Sequence, residues 1–182
     1  MTVIAAIVQD GAAYMAADRQ VANGWTTHES GPKIRMMGEA IVGLSGAMRA
    51  AAYLRQHEPL VSPVVGLTPE MVDGWAQGLA DGLHNWLGAR GHGKVDDTGK
   101  IQGVVLLVAT RLGVWRIDSD GACLRILSGE WACGSGEDFA IGVLFATKGS
   151  LPGKRLRTAC EAAIAHNMGC GGPVDVLTLA AP

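Results

Sequence analysis

The chain has 182 residues, 48% of them hydrophobic and 18% charged, which is enough apolar side chain for one domain, residues 1–182, with a substantial core. A formal net charge of −2 with no basic run argues against a nucleic-acid partner. No apolar stretch reaches the roughly 18 residues of a membrane span, and the N-terminus lacks the charged and apolar regions of a signal peptide, so the sequence reads as a cytoplasmic protein without membrane contact.

The chain opens Met1-Thr2-Val3-Ile4. Removal of Met1 would leave Thr2 with a hydroxyl nucleophile and a free α-amine, whose pKa of ~7.7–8.0 suits a base near neutrality. One residue would then supply both halves of an acyl-transfer catalyst. Val3 to Val8 is a short apolar run predicted as a buried strand, Gln9-Asp10-Gly11 is a hairpin turn signal, and Ala12 to Ala17 is the returning strand. That hairpin ends at Asp18-Arg19 and so brings a carboxylate back toward residue two. After a loop over Ala22 to Pro32, Lys33 to Met37 is predicted as a strand, and Asp18 and Lys33 are placed to pair beside Thr2.

A helix is predicted from Ala47, with Arg49 to Gln56 as its body. A second begins at Thr68-Pro69-Glu70, where proline suits the first helical position, and carries an apolar stripe through Trp75, Leu79 and Leu83 to Leu87. Gly88 to Gly103 is polar and glycine-rich and reads as a long loop; its spacing fits neither a phosphate-binding loop nor a calcium-binding one. Val104 to Ala109, Val114 to Ile117, Cys123 to Leu127 and Val174 to Leu179 read as strands, Glu137 to Thr147 and Lys154 to His166 as helices. Cys123, Cys133, Cys160 and Cys170 lack metal-ligand spacing and are expected as buried, reduced thiols. The histidines show no partner set, and no cofactor or metal is indicated.

Taken in order, Thr2, Asp18-Arg19-Gln20, Lys33-Ile34-Arg35, Gly43-Leu44-Ser45-Gly46-Ala47, Gly134-Ser135-Gly136 and Gly171-Gly172-Pro173-Val174-Asp175 resemble the motif series of the proteasome β-subunit and HslV peptidase family, most of all its betaproteobacterial proteasome homologues. The resemblance spans the chain and implies an α+β fold, the four-layer αββα sandwich of N-terminal-nucleophile hydrolases. It implies Thr2 as nucleophile, its freed amine as base, Lys33 as the cation that lowers the hydroxyl pKa, Asp18 as the partner of Lys33, and Ser135 as a hydrogen-bonding group near the amine. Gly46 would offer its N–H to the oxyanion, and Ala22 and Leu44 would line the substrate pocket.

Two positions depart from the family pattern. Asn167 and Cys170 stand where an aspartate and a serine are common, which makes them supporting residues with altered chemistry. An amide at 167 favours the neutral amine but removes a charged anchor. The implied protein is a threonine-type endopeptidase that assembles with itself in two stacked rings of six or seven subunits, takes polypeptide substrates, and admits an unidentified ATP-dependent unfoldase as partner. Two alternatives stand beside it: an amidohydrolase of the same mechanism acting on a small amide, and a catalytically silent ring or scaffold, the latter motivated by Asn167.

Overall fold

Alternating side chains on nearly every long strand are buried on both faces, and this two-sided burial organises the molecule into layers. The computed structural model describes residues 2–23, 26–46, 48–61, 66, 68–89 and 104–182. In chain order the elements are β1 (Ile4–Gln9), β2 (Ala12–Asp18), β3 (Gln20–Asn23), β4 (Thr26–Glu29), β5 (Ile34–Met37), β6 (Ala40–Gly46), α1 (Met48–Val61), α2 (Pro69–Ala89), β7 (Val104–Thr110), β8 (Gly113–Ile117), β9 (Cys123–Ile126), β10 (Glu130–Cys133), α3 (Glu137–Ala146), α4 (Pro152–His166) and β11 (Val174–Leu179). A four-stranded antiparallel sheet runs β10-β1-β2-β11 and a five-stranded one runs β5-β6-β7-β8-β9.

Because successive strand side chains point to opposite faces, each sheet feeds two cores. Ile4 and Ala6 of β1 meet Ile41 of β6 and Leu107 of β7 in the seam between the sheets. Ala5 and Ile7 point the other way, onto Leu144 of α3 and Leu156 of α4. Across the molecule Val42 and Leu44 of β6 pack under Leu54 of α1 and Leu79 of α2. The layers are therefore α1 and α2, the five-stranded sheet, the four-stranded sheet, then α3 and α4, the αββα sandwich that the resemblance implied. Gly43 sets how closely the sheets approach. A Cβ there would stand 2.8 Å from Ile4 Cγ2 and 3.0 Å from Met15 Sδ.

The expected hairpin is present, and Asp10 and Gly11 take φ values of 52° and 72°. A two-residue turn needs positive φ at both positions to match the twist of its strands, and aspartate and glycine tolerate it best. Four expectations are revised. The segment read as a loop over Ala22 to Pro32 contains most of the β3–β4 hairpin, whose polar, solvent-facing residues show no core alternation. β10 has no counterpart among the predicted strands, because its four residues take their order from pairing with β1 rather than from their own pattern. α1 continues to Val61, beyond Gln56, and α2 takes in Gly88 and Ala89 from the predicted loop. Residues 90–103 of that loop, and the helix start at Ala47, lie outside the described residues.

Candidate active site

Antiparallel pairing brings four chain segments to one edge of the four-stranded sheet: the residues leading into β1 and β11 and those leaving β2 and β10. Thr2 immediately precedes β1 and is almost fully buried, at 4% exposure. Asp18 closes β2 opposite it, its N–H donating to the Val3 carbonyl at 3.2 Å. The Asp18 side chain is wholly buried and accepts from four donors. Oδ1 takes the Val3 N–H at 3.0 Å and Lys33 Nζ at 2.7 Å; Oδ2 takes the Gly171 N–H at 3.0 Å and the Gln20 N–H at 3.2 Å. A buried carboxylate is tolerable only when charge and lone pairs are matched in this way.

Lys33 comes from the other sheet, just ahead of β5, where the Leu44 N–H donates to its carbonyl and so extends the β5–β6 ladder. Its ammonium donates to Thr2 Oγ1 at 2.7 Å as well as to Asp18 Oδ1 at 2.7 Å. Burial draws the Lys33 pKa below its ordinary value, and the hydrogen bond and charge of Asp18 oppose that shift. The hydroxyl of Thr2 thus sits against a desolvated cation.

The turn from β10 into α3 clamps the backbone of Thr2. Gly134 takes φ 97°, and a Cβ there would collide with the Thr2 carbonyl oxygen, which only glycine allows. That oxygen accepts the Gly136 N–H at 3.1 Å. Ser135 Oγ accepts the Thr2 N–H at 3.1 Å and does not cap α3, whose N-cap is Gly136 without a side-chain bond. Behind Ser135, Asn167 donates its side-chain N–H to the Ser135 carbonyl and accepts the Gly169 N–H at 2.8 Å. Cys170 Sγ lies 3.9 Å from Ser135 Oγ, and burial raises its thiol pKa.

Comparison with solved structures follows this geometry closely in fold. Thiobacillus denitrificans BPH superposes with a TM-score of 0.83 at 20% identity, covering 98% of this chain and 97% of its own. The chain has the fold of the proteasome-type N-terminal-nucleophile hydrolases. Thiobacillus denitrificans BPH in complex with epoxomicin gives a TM-score of 0.81 at 19% identity, with 98% of both chains covered. Eukaryotic HslV from Trypanosoma brucei gives 0.75 at 22% identity, covering 97% of this chain and 98% of its own. No family model and no curated protein matches the sequence.

On this proteasome-type fold the structure brings Thr2, Asp18, Lys33 and Ser135 together and sets Asn167 and Cys170 behind Ser135. A cleft of about 410 Å³ opens beside Thr2, with Ala22 of β3, Leu44 and Gly46 of β6 in its wall. Gly46 has φ 111° at the end of β6. Three contributors escaped the sequence reading. Gln20 and Gly171 hold Asp18 through their N–H groups, and Gly171 lies so close to the Gln20 side-chain amide that a Cβ has no room. Arg19 forks onto Asp175 at 2.8 and 2.7 Å, which ties the last motif of the series to the segment after Asp18. Arg35 and Arg55 also reach the cleft wall. The signal for Arg35 was its place two residues beyond Lys33, on the same face of an extended strand.

Three of the four cysteines are buried and all are free; Cys123 is half-buried, where a buried thiol was expected. Among the described residues no group of three or more His, Cys, Asp or Glu side chains is arranged to hold a metal ion, and no helix is long and apolar enough to cross a membrane.

Proposed function

We propose that the chain is a threonine-type endopeptidase that cuts peptide bonds through an acyl-enzyme on Thr2 once Met1 has been removed. The observation that carries this reading is the Lys33 ammonium, held 2.7 Å from both Thr2 Oγ1 and Asp18 Oδ1 beside an open cleft. The freed Thr2 amine takes the proton of its own hydroxyl as Oγ1 attacks the substrate carbonyl carbon. Lys33 stabilises the alkoxide character that develops on Oγ1, and Asp18 keeps the ammonium charged and in place. The oxyanion is received by the Gly46 N–H, a contribution of about 3 kcal/mol for one well-placed donor. Collapse breaks the C–N bond, the leaving amine takes the proton back from the Thr2 ammonium, and water then hydrolyses the ester by the same proton route. Ser135 aligns the Thr2 nitrogen throughout.

The family resemblance implies that copies of the chain stack in two rings of six or seven with these clefts inside. Polypeptides are then the substrates, with or without delivery by an ATP-dependent unfoldase. That a BPH neighbour is seen in complex with epoxomicin supports testing the same chemistry here. Intact mass of the purified subunit with and without epoxomicin is the direct test. A single adduct on the form lacking Met1, absent from Thr2→Ala, is expected; an unlabelled subunit that also cleaves no peptide would leave the fold without the activity.

A further inference from the structure

The cleft beside Thr2 carries charge of one sign. Its charged wall residues are Lys33, Arg35 and Arg55, and no acidic side chain is among the described residues that line it. Lys33 is matched by Asp18. The two guanidinium groups are not part of that pair, and Arg55, exposed on α1, makes no ion pair among the described residues.

Their placement follows from the elements. Lys33 and Arg35 are two residues apart on extended chain, so they point to the same side roughly 7 Å from one another. Arg35 stands opposite Val42 in the β5–β6 ladder, and Leu44 lies two residues further along the same face. α1 lies over this face with Leu54 toward the core and Arg55 at the rim. An extended substrate whose carbonyl carbon meets Thr2 Oγ1 therefore directs the side chain of that same residue past Leu44 toward Arg35 and Arg55.

We infer that this cleft selects an acidic side chain, aspartate or glutamate, on the residue that donates the scissile carbonyl. The inference rests on the peptidase reading of Thr2. A planar guanidinium matches a carboxylate in two parallel hydrogen bonds, and low-dielectric walls such as Leu44 and Leu54 strengthen that attraction. The same field rejects a lysine or arginine side chain, so selection works by repulsion as well as attraction. Arg35, reached by the substrate, sets specificity; Arg55 at the rim reinforces it.

The test uses the assembled, Met1-free protein and four fluorogenic peptides that differ only in the residue before the scissile bond: glutamate, aspartate, leucine and arginine. The kcat/KM for the better acidic peptide is expected to exceed that for leucine at least ten-fold, with arginine slowest and the preference shrinking at high salt. Arg35→Gln is expected to lower the acidic-to-leucine ratio at least ten-fold, chiefly through KM, and Arg35→Lys to restore part of it. Arg55→Gln, on an exposed helix surface that tolerates the change, is expected to lower the ratio less. Faster cleavage of the leucine or arginine peptide, or a ratio unmoved by both glutamine variants, overturns the inference. If Thr2 labels with epoxomicin in that case, the peptidase reading survives; if Thr2 neither labels nor turns over any peptide, both fall.

Discussion

Burial lowers the pKa of the Lys33 ammonium, and Asp18 resists that lowering. Because the charged ammonium is the form that stabilises the Thr2 alkoxide, the alkaline limb of kcat/KM against pH is expected below the ordinary lysine value of 10.5. Asp18→Asn removes the raising contribution and is expected to move that limb to still lower pH. Lys33→Ala is expected to abolish turnover, and Lys33→Arg not to restore it, since a planar fork does not fit where a compact ammonium bridges two oxygens. From sequence alone Lys33 reads as electrostatic tuning with little bearing on the fold. Its burial against Asp18 adds a second consequence: unpairing a buried ion costs about 3–5 kcal/mol, here toward the low end because three backbone N–H groups still hold the carboxylate. Urea unfolding of Lys33→Ala measures it. The acidic limb belongs to the Thr2 amine. Asn167→Asp places a negative charge behind Ser135 and loses the donor to the Ser135 carbonyl, so that limb is expected to rise in pH while kcat falls. An unchanged limb would mean that position 167 does not sense the amine.

Among the elements, the β10–α3 turn is the most constrained, since Gly134 combines φ 97° with contact on the Thr2 carbonyl. Gly134→Ala is expected to destabilise by about 1–3 kcal/mol and to reduce turnover by displacing Thr2. Gly74→Ala in α2, where an added Cβ meets nothing, is expected to stabilise by about 0.5–1 kcal/mol with activity retained. Denaturant midpoints and peptidase rates of the pair separate strain from helix propensity. The contrast also shows what a sequence discloses. Val174–Leu179 is legible to the residue because its apolar run is bounded by turn signals, and the α2 stripe because helical periodicity survives over five turns. The β3–β4 hairpin faces solvent and carries no such pattern, and β10 is a strand only because β1 is its neighbour. Within the site, Thr2, Asp18 and Lys33 are legible because each flanks or ends a predictable element. Arg55 is not, because its approach to Arg35 depends on how α1 settles over β5 and β6, a packing outcome that no local spacing encodes.

At the scale of the whole molecule, the outer α3–α4 layer presents Phe139, Phe145 and Leu151 to solvent, at 41%, 72% and 77% exposure. Exposed large apolar groups gathered on one layer mark a surface that expects a partner, and closed symmetric rings supply identical copies. Light scattering is expected to report about 12–14 copies, as two stacked rings of six or seven require. Phe145→Asp combined with Leu151→Asp is expected to lower that mass without unfolding the subunit; a stable wild-type monomer at micromolar concentration would remove the ring proposal. The way Thr2 is held bears on timing as well as place. Its carbonyl is fixed by Gly136 and its hydroxyl by Lys33, and neither bond involves the nitrogen that Met1 acylates. Excising Met1 therefore changes the basicity of one atom and leaves every other contact of the nucleophile as it was. The precursor needs no segment to swing aside: it is a finished machine waiting on a proton acceptor, so subunits can fold and close their chamber before any of them is able to cut.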